Sequence, residues 1–293
     1  MQRDRHALSR LASEPATDLG AEIVPVQGFA EANSEHQHTV LIDVPRGEVV
    51  AEPIVITHRS SPGTATFPRT VVRVGENAEV TIIERFSSVD PGSALVCPVL
   101  SAEVSPAGRV NYLATNDLDV EAWQVGHQLI SGDRDSSVRL STVTLGGHYT
   151  RVRTEARSTG PGASTKQVAL YFAGGDQMHD FRVIQDHDAP HTSSDLLFKG
   201  AVQDRARSAY TGLISIREHA RGTAAYQTNR NLTLSDSAWA ESVPNLDIRT
   251  NTLVEKLIVE GGRVTGVAIR NGKRRDKIFA RRGVILSGGA FNS

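Results

Sequence analysis

From about residue 70 the chain alternates short β-branched and apolar stretches with turn residues. Turn signals recur at Gly75-Glu76-Asn77, Pro106-Ala107-Gly108, Gly132-Asp133-Arg134-Asp135, Gly146-Gly147, Gly160-Pro161-Gly162, Gly174-Gly175-Asp176, Asp188-Ala189-Pro190, Gln203-Asp204 and Ala220-Arg221-Gly222. Gly, Asp, Asn and Pro mark turns because they accept left-handed or fixed-φ backbone. The stretches between them have strand length. They show period-two alternation at Val168, Leu170, Phe172; at Phe181, Val183; at Leu196, Phe198; and at Tyr210, Ile214, Ile216. Helical periodicity is confined to residues 1–20 and 235–241. Evenly spaced strands with few helices fit an antiparallel sandwich or barrel. They also fit a solenoid in which each coil stacks on the last. Turns of three or four residues, rather than tight Asn-Gly hairpins, and the sheer number of strands favour the solenoid.

Composition narrows the class. At 293 residues the chain can bury a large core, and aromatics at 5% predict one built from Val, Leu, Ile and Ala. With 32 basic and 33 acidic side chains there is no general pull towards nucleic acid or a membrane surface. The one cysteine, Cys97, excludes an intrachain disulfide and an all-cysteine metal site. No apolar run has membrane-spanning length, and the first twenty residues lack the apolar stretch of a secretory signal. A cytoplasmic protein is the expectation. Charge is uneven: residues 252–293 hold nine basic and three acidic side chains and three of the five lysines. Such a shift marks a candidate boundary.

The richest polar stretch is Asp176 to His191. His179, Asp186, His187 and His191 are candidate metal ligands by residue type. Pro190 between the last two histidines excludes the helical His-x-x-x-His face, so edge-of-sheet turn residues are the competing reading. Cys97 lies in Leu95-Val96-Cys97-Pro98-Val99, the setting of a small buried hydrophobe rather than a low-pKa nucleophile. It and the three histidines are the weak candidates for iron or another metal. No phosphate loop and no nucleophile elbow occur. Arg151, Arg153, Arg157, Arg205 and Arg207 read as solvated strand faces. Arg217 and Glu218, adjacent on a strand, would point to opposite faces. The chemistry predicts a scaffold, without catalytic residues.

The stretch Leu170-Tyr-Phe-Ala-Gly-Gly-Asp-Gln-Met-His-Asp-Phe and then Asp186-His-Asp-Ala-Pro-His-Thr-Ser-Ser-Asp-Leu-Leu-Phe-Lys-Gly200 resembles the SufB/SufD scaffolds of iron–sulfur cluster assembly, SufD more than SufB. The likeness continues through Arg207-Ser-Ala-Tyr-Thr-Gly-Leu-Ile, Gly222-Thr-Ala-Ala-Tyr-Gln-Thr-Asn-Arg-Asn-Leu and Ala240-Glu-Ser-Val-Pro-Asn-Leu-Asp-Ile, and covers residues 39–248. It implies an all-β fold with a right-handed parallel β-helix core. It also implies a complex with a SufB-like sister scaffold and a SufC-like ATPase, with a transient iron–sulfur cluster held only in that complex. The family follows Pro-Asn-Leu-Asp-Ile with an Asp-Val-x-Cys-Ser-His-type segment whose histidine helps hold the cluster. Arg249-Thr-Asn-Thr-Leu-Val stands there instead. The family's C-terminal helical, ATPase-docking domain has no counterpart. Residues 1–38 form a shortened N-terminal extension, partly helical or disordered.

Residues 249–293 carry a second likeness. Leu257-Ile-Val-Glu-Gly-Gly-Arg-Val-Thr-Gly-Val-Ala-Ile and Ala280-Arg-Arg-Gly-Val-Ile-Leu-Ser-Gly-Gly-Ala-Phe-Asn-Ser293 are similar to an internal piece of the FAD domain of glucose-methanol-choline oxidoreductases. The segment reads as a strand meander over 254–260, 264–270, 276–280 and 283–287, turning at Gly261-Gly262 and Asn271-Gly272. Its dinucleotide loop and catalytic histidine are absent, so FAD binding is not expected. The expectation is a chimera joined within residues 244–251: a truncated SufD-like core and a flavoenzyme-like fragment. An FAD-dependent oxidoreductase fragment and a non-functional fusion are the alternatives.

Overall fold

The computed structural model describes residues 22–25, 39–246, 252–272, 274–280 and 284. All regular elements among them are strands: β1 (Glu22–Pro25), β2 (Thr39–Val44), β3 (Ile54–Ser60), β4 (Ala65–Thr66), β5 (Arg69–Val74), β6 (Glu79–Ser88), β7 (Leu95–Val96), β8 (Val99–Val104), β9 (Arg109–Asp117), β10 (Trp123–Gly132), β11 (Ser137–Thr144), β12 (Tyr149–Ser158), β13 (Ser164–Ala173), β14 (Met178–His187), β15 (Ser193–Val202), β16 (Arg207–Ile216), β17 (Ala224–Thr233), β18 (Trp239–Leu246), β19 (Thr252–Glu260), β20 (Arg263–Asn271) and β21 (Arg274–Phe279). The chain divides into two compact units, Met1–Asp247 and Ile248–Ser293.

The first unit is a parallel β-solenoid. One sheet runs β2-β5-β8-β10-β12-β14-β16-β18, with β1 antiparallel on its first edge. The other runs β3-β6-β9-β11-β13-β15-β17. Consecutive strands never pair with each other in this unit beyond β1; each pairs with the strand one coil away. Trp123 is in register with Tyr149, Tyr149 with Met178, Met178 with Arg207 and Arg207 with Trp239, so a coil takes 26 to 32 residues. The turn rhythm of the sequence marks half-coils. This resolves the sandwich-or-solenoid choice.

Corners are built from left-handed residues. Asn77, Ala107, Asp135 and His191 have φ between 57° and 58°, and each donates its backbone N–H to a carbonyl of the next coil. Glycine is needed elsewhere for space: a Cβ on Gly200 would lie 1.9 Å from the Tyr171 ring stacked against it.

Period-two alternation buries one face of each strand. In the coils up to β11 the inner face is aliphatic: Ile42, Val44, Val72, Val74, Val80, Ile82, Val104, Val110, Ile130 and Leu140 form one cluster. From β12 onwards Tyr171, Phe181, Phe198 and Tyr210 join Val152, Val183 and Leu196 in a mixed aromatic and aliphatic cluster. Each such fully buried side chain contributes about 1.5–3 kcal/mol. The expected aromatic-poor core therefore holds for the first coils only.

Three expectations are corrected. Val168, Leu170 and Phe172 alternate as predicted but face outwards; Gln167, Ala169 and Tyr171 are the buried set of β13. Residues 235–241 form a turn followed by the start of β18, because Trp239 pairs in register with Arg207. Arg217 follows the end of β16 and is not on a strand beside Glu218. The helical reading of residues 1–20 lies outside the described residues.

The second unit is an antiparallel meander, β19-β20-β21. It turns at Gly261-Gly262 and at Gly272, all with positive φ. The expected strand over 283–287 falls outside the described residues, except for Val284, which is in no strand.

Candidate functional site

The candidate ligands occupy separate places. His179 and His187 lie on the inner face of β14, eight residues apart, which is about 26 Å along a strand. His191 is an exposed corner residue whose N–H is held by the Arg221 carbonyl. Cys97 is half-buried between β7 and β8, and burial raises its thiol pKa, away from the thiolate a metal needs. Among the described residues no group of three or more His, Cys, Asp and Glu converges on a point.

The two buried histidines differ in their partners. His187 is satisfied on both sides, Nδ1 by the Thr192 hydroxyl at 2.7 Å and Nε2 by the Ser194 hydroxyl at 2.9 Å. Burial lowers its pKa, with the Asp186 charge opposing. His179 makes no hydrogen bond of normal geometry at either nitrogen. Burial holds it neutral, with a pKa of about 4, against a small opposing pull from the Gly146 backbone. Around it the last coils gather further polar groups. The Tyr171 hydroxyl bonds the Asn231 side-chain oxygen, and Asn231 donates to Asn229 at 2.6 Å and to Ser242 at 3.2 Å. The hydroxyls of Ser208 and Tyr210 and the amide of Gln227 are buried without partners.

Asp186 belongs to the outer face of the first sheet. Arg217 grips it with two bonds of 2.9 Å, and Arg157 adds one of 3.0 Å. Burial pushes its pKa up, but the two guanidiniums outweigh this and hold it below the usual value. Asp180 also pairs with two arginines, Arg151 at 2.7 Å and Arg182 at 3.2 Å. Arg151, Arg153, Arg157 and Arg207 lie on strand faces, whereas Arg205 sits in the turn between β15 and β16, and several of the five are paired with a carboxylate one coil away. Arg151 with Asp180, Arg157 with Asp186 and Arg205 with Asp176 are each 29 residues apart. That spacing is the coil length, and it is the signal by which sequence could have found them. Along this face a groove of about 680 Å³ is floored by Leu129, Ile184 and Leu213 and walled by Ser131, Arg157 and Asp186.

Sequence reasoning also missed Glu84. It is buried inside the first coils and accepts from Thr70 at 2.7 Å and from Tyr112, with His58 Nε2 at 2.7 Å. Burial and then the Glu84 charge push the Tyr112 pKa well above its ordinary value, so the phenol stays a donor.

These features define a parallel β-solenoid with an outer ladder of arginine–carboxylate pairs and a polar interior in its last coils. No helix among the described residues is long and apolar enough to cross a membrane. The SUF system FeS cluster assembly, SufBD core domain matches residues 55–255. The chain belongs to this SufBD family. An iron–sulfur cluster assembly SufBD family protein of Mycobacterium leprae is 31% identical over 248 residues, which is 80% of this chain and 62% of that protein. Iron–sulfur cluster assembly protein SufD of Escherichia coli is 24% identical over 218 residues, 72% of this chain and 51% of that protein. The chloroplastic protein ABCI7 of Arabidopsis thaliana is 25% identical over 221 residues, 71% of this chain and 46% of that protein. The chain thus spans less than two thirds of each of these relatives. The family match runs eight residues beyond the first compact unit, which ends at Asp247.

Proposed function

We propose that the chain is a non-catalytic, cytoplasmic scaffold subunit of iron–sulfur cluster assembly, working in a complex with a SufB-like sister scaffold and a SufC-like ATPase. The observation that carries this is the SufBD core match over residues 55–255 on a continuous stack of parallel coils. The cluster is cargo, held in the complex and completed by a partner's ligands. In support, His187 spends both nitrogens on hydroxyls, and the inner and outer candidates are separated by the sheet. The replacement of the family's cysteine- and histidine-bearing segment by Arg249-Thr-Asn-Thr-Leu-Val supports weaker cluster holding than in relatives that carry that segment. Residues 249–293 we read as flavoenzyme-like in sequence and without an FAD site; the purified chain should show no flavin absorbance.

The test is co-expression of the tagged chain with SufB-like and SufC-like proteins, followed by affinity purification. Recovery of the sister scaffold together with the ATPase supports the reading. A monodisperse chain that recovers neither partner contradicts it.

A further inference from the structure

Both tryptophans of the chain lie on the outer face of the first sheet, in a protein with only 5% aromatics. Trp123 is 48% and Trp239 46% exposed. They share one register row, which runs Trp123, Tyr149, Met178, Arg207, Trp239 across β10, β12, β14, β16 and β18. Four inter-strand steps of about 4.8 Å set the indoles about 19 Å apart. Side chains of this size are on average highly buried, so two exposed ones in a row need a reason.

The row is ordered. Trp123 packs on Tyr149 at 5.1 Å and near His148 at 6.1 Å, and Arg151 lies over the Tyr149 ring at 5.6 Å. Asp180, on the same face two residues from Met178, is occupied by Arg151 and Arg182. Arg207, exposed between Met178 and Trp239, takes part in no ion pair among the described residues. The row thus presents large apolar groups at both ends and one uncompensated guanidinium. Trp, Tyr and Arg are the residue types that dominate binding energy at protein interfaces.

We propose that this row docks an amphipathic protein helix bearing carboxylates beside its apolar stripe. The row crosses five strands face-on and meets the sheet's open edge only at β18, so a ligand that spans the whole row lies across the face, and the helix mode of recognition applies. A span of about 19 Å corresponds to about 13 helical residues. Complementarity to Arg207 sets the sign of the partner. Single-stranded nucleic acid would also stack on the indoles, but it needs a track of cations along its phosphates, and this row offers one.

Because the only tryptophans stand in the row, intrinsic fluorescence reports its occupancy. The full chain is titrated with a designed Leu/Glu amphipathic peptide of about 16 residues, a Leu/Lys analogue and an oligothymidine of about 15 nucleotides. The acidic peptide should give a saturable blue shift and reduced acrylamide quenching. Arg207→Glu should weaken its binding at least about tenfold and transfer preference to the Lys analogue, with the circular dichroism spectrum unchanged. No saturable response to the acidic peptide overturns the proposal. So does an equal or larger response to the Lys analogue or the oligonucleotide. If Arg207→Glu does not fold, the three wild-type titrations decide alone.

Discussion

The first coils and the last coils of the solenoid share a backbone and differ in what they bury. Up to β11 the inner face is mainly a ladder of Val, Ile and Leu, interrupted by Glu84 with His58, Thr70 and Tyr112 and by the buried amides of Asn116, Gln124 and Gln128. From β12 on, the same inner positions hold His179, Gln185, His187, Tyr171 and Tyr210. Burial of aliphatic surface is non-directional and favourable throughout. Burial of polar groups costs free energy wherever a partner is missing, as at His179 and Tyr210. Alternation builds the fold in both parts, while the unpartnered buried polar atoms concentrate in the last coils, at His179, Ser208, Tyr210 and Gln227, against single hydroxyls at Ser136 and Thr144 in the first.

The largest test of that contrast is Ile82→Ala. Ile82 is fully buried among aliphatic neighbours, and its loss should cost about 3–4 kcal/mol, read as a fall in the urea midpoint.

A second test uses pH. His179 titrates at about 4 in the folded chain and near 6.5 unfolded. Below pH 6.5 the unfolded chain binds the proton and the folded chain does not. The stability is therefore fully present above the unfolded value and is lost as pH falls towards the folded one, by about 3 kcal/mol. His187, also lowered by burial, adds in the same direction. His179→Phe should flatten the stability profile between pH 6.5 and 4, whereas Ile82→Ala should shift it without changing its slope. An unchanged slope in His179→Phe would place the titration elsewhere.

The smallest effects concern single groups. Tyr210→Phe removes a buried hydroxyl that has no partner and should be neutral or stabilising by up to about 1 kcal/mol. Ala107→Gly relieves a φ of 57° and should stabilise by about 0.5–1 kcal/mol, read as a rise in the thermal midpoint. A clear loss in Tyr210→Phe would show that the hydroxyl is satisfied and would weaken the contrast between the two halves.

Much of the fold was legible in the sequence, because Gly, Asp and Pro corners recur at half-coil intervals and strands alternate with period two. The face was less legible. On β13 both sets contain large side chains, and Leu170 and Phe172 outweigh Gln167 and Ala169 in hydropathy although they point out. Period two cannot choose between faces when both are apolar. The stretch at 235–241 looked helical because its local residues fit a helix, and pairing of Trp239 with Arg207 overrode that preference. The candidate site was legible only as residue types. His179 and His187 stand out in the sequence as candidate metal ligands, but their eight-residue separation on one strand keeps them from one ion. Glu84, Asp180 and Arg217 were missed because their partners lie one coil away, at 26 to 31 residues, a distance at which no local motif operates.

The central claim is that this solenoid scaffolds a cluster that a partner must complete. The measurement that tests it most directly is anaerobic reconstitution with iron and sulfide, on the chain alone and on its complex with a SufB-like partner, with bound iron and acid-labile sulfide assayed in each. The account predicts neither on the isolated chain and both on the complex. A stable, stoichiometric cluster on the isolated chain would contradict it.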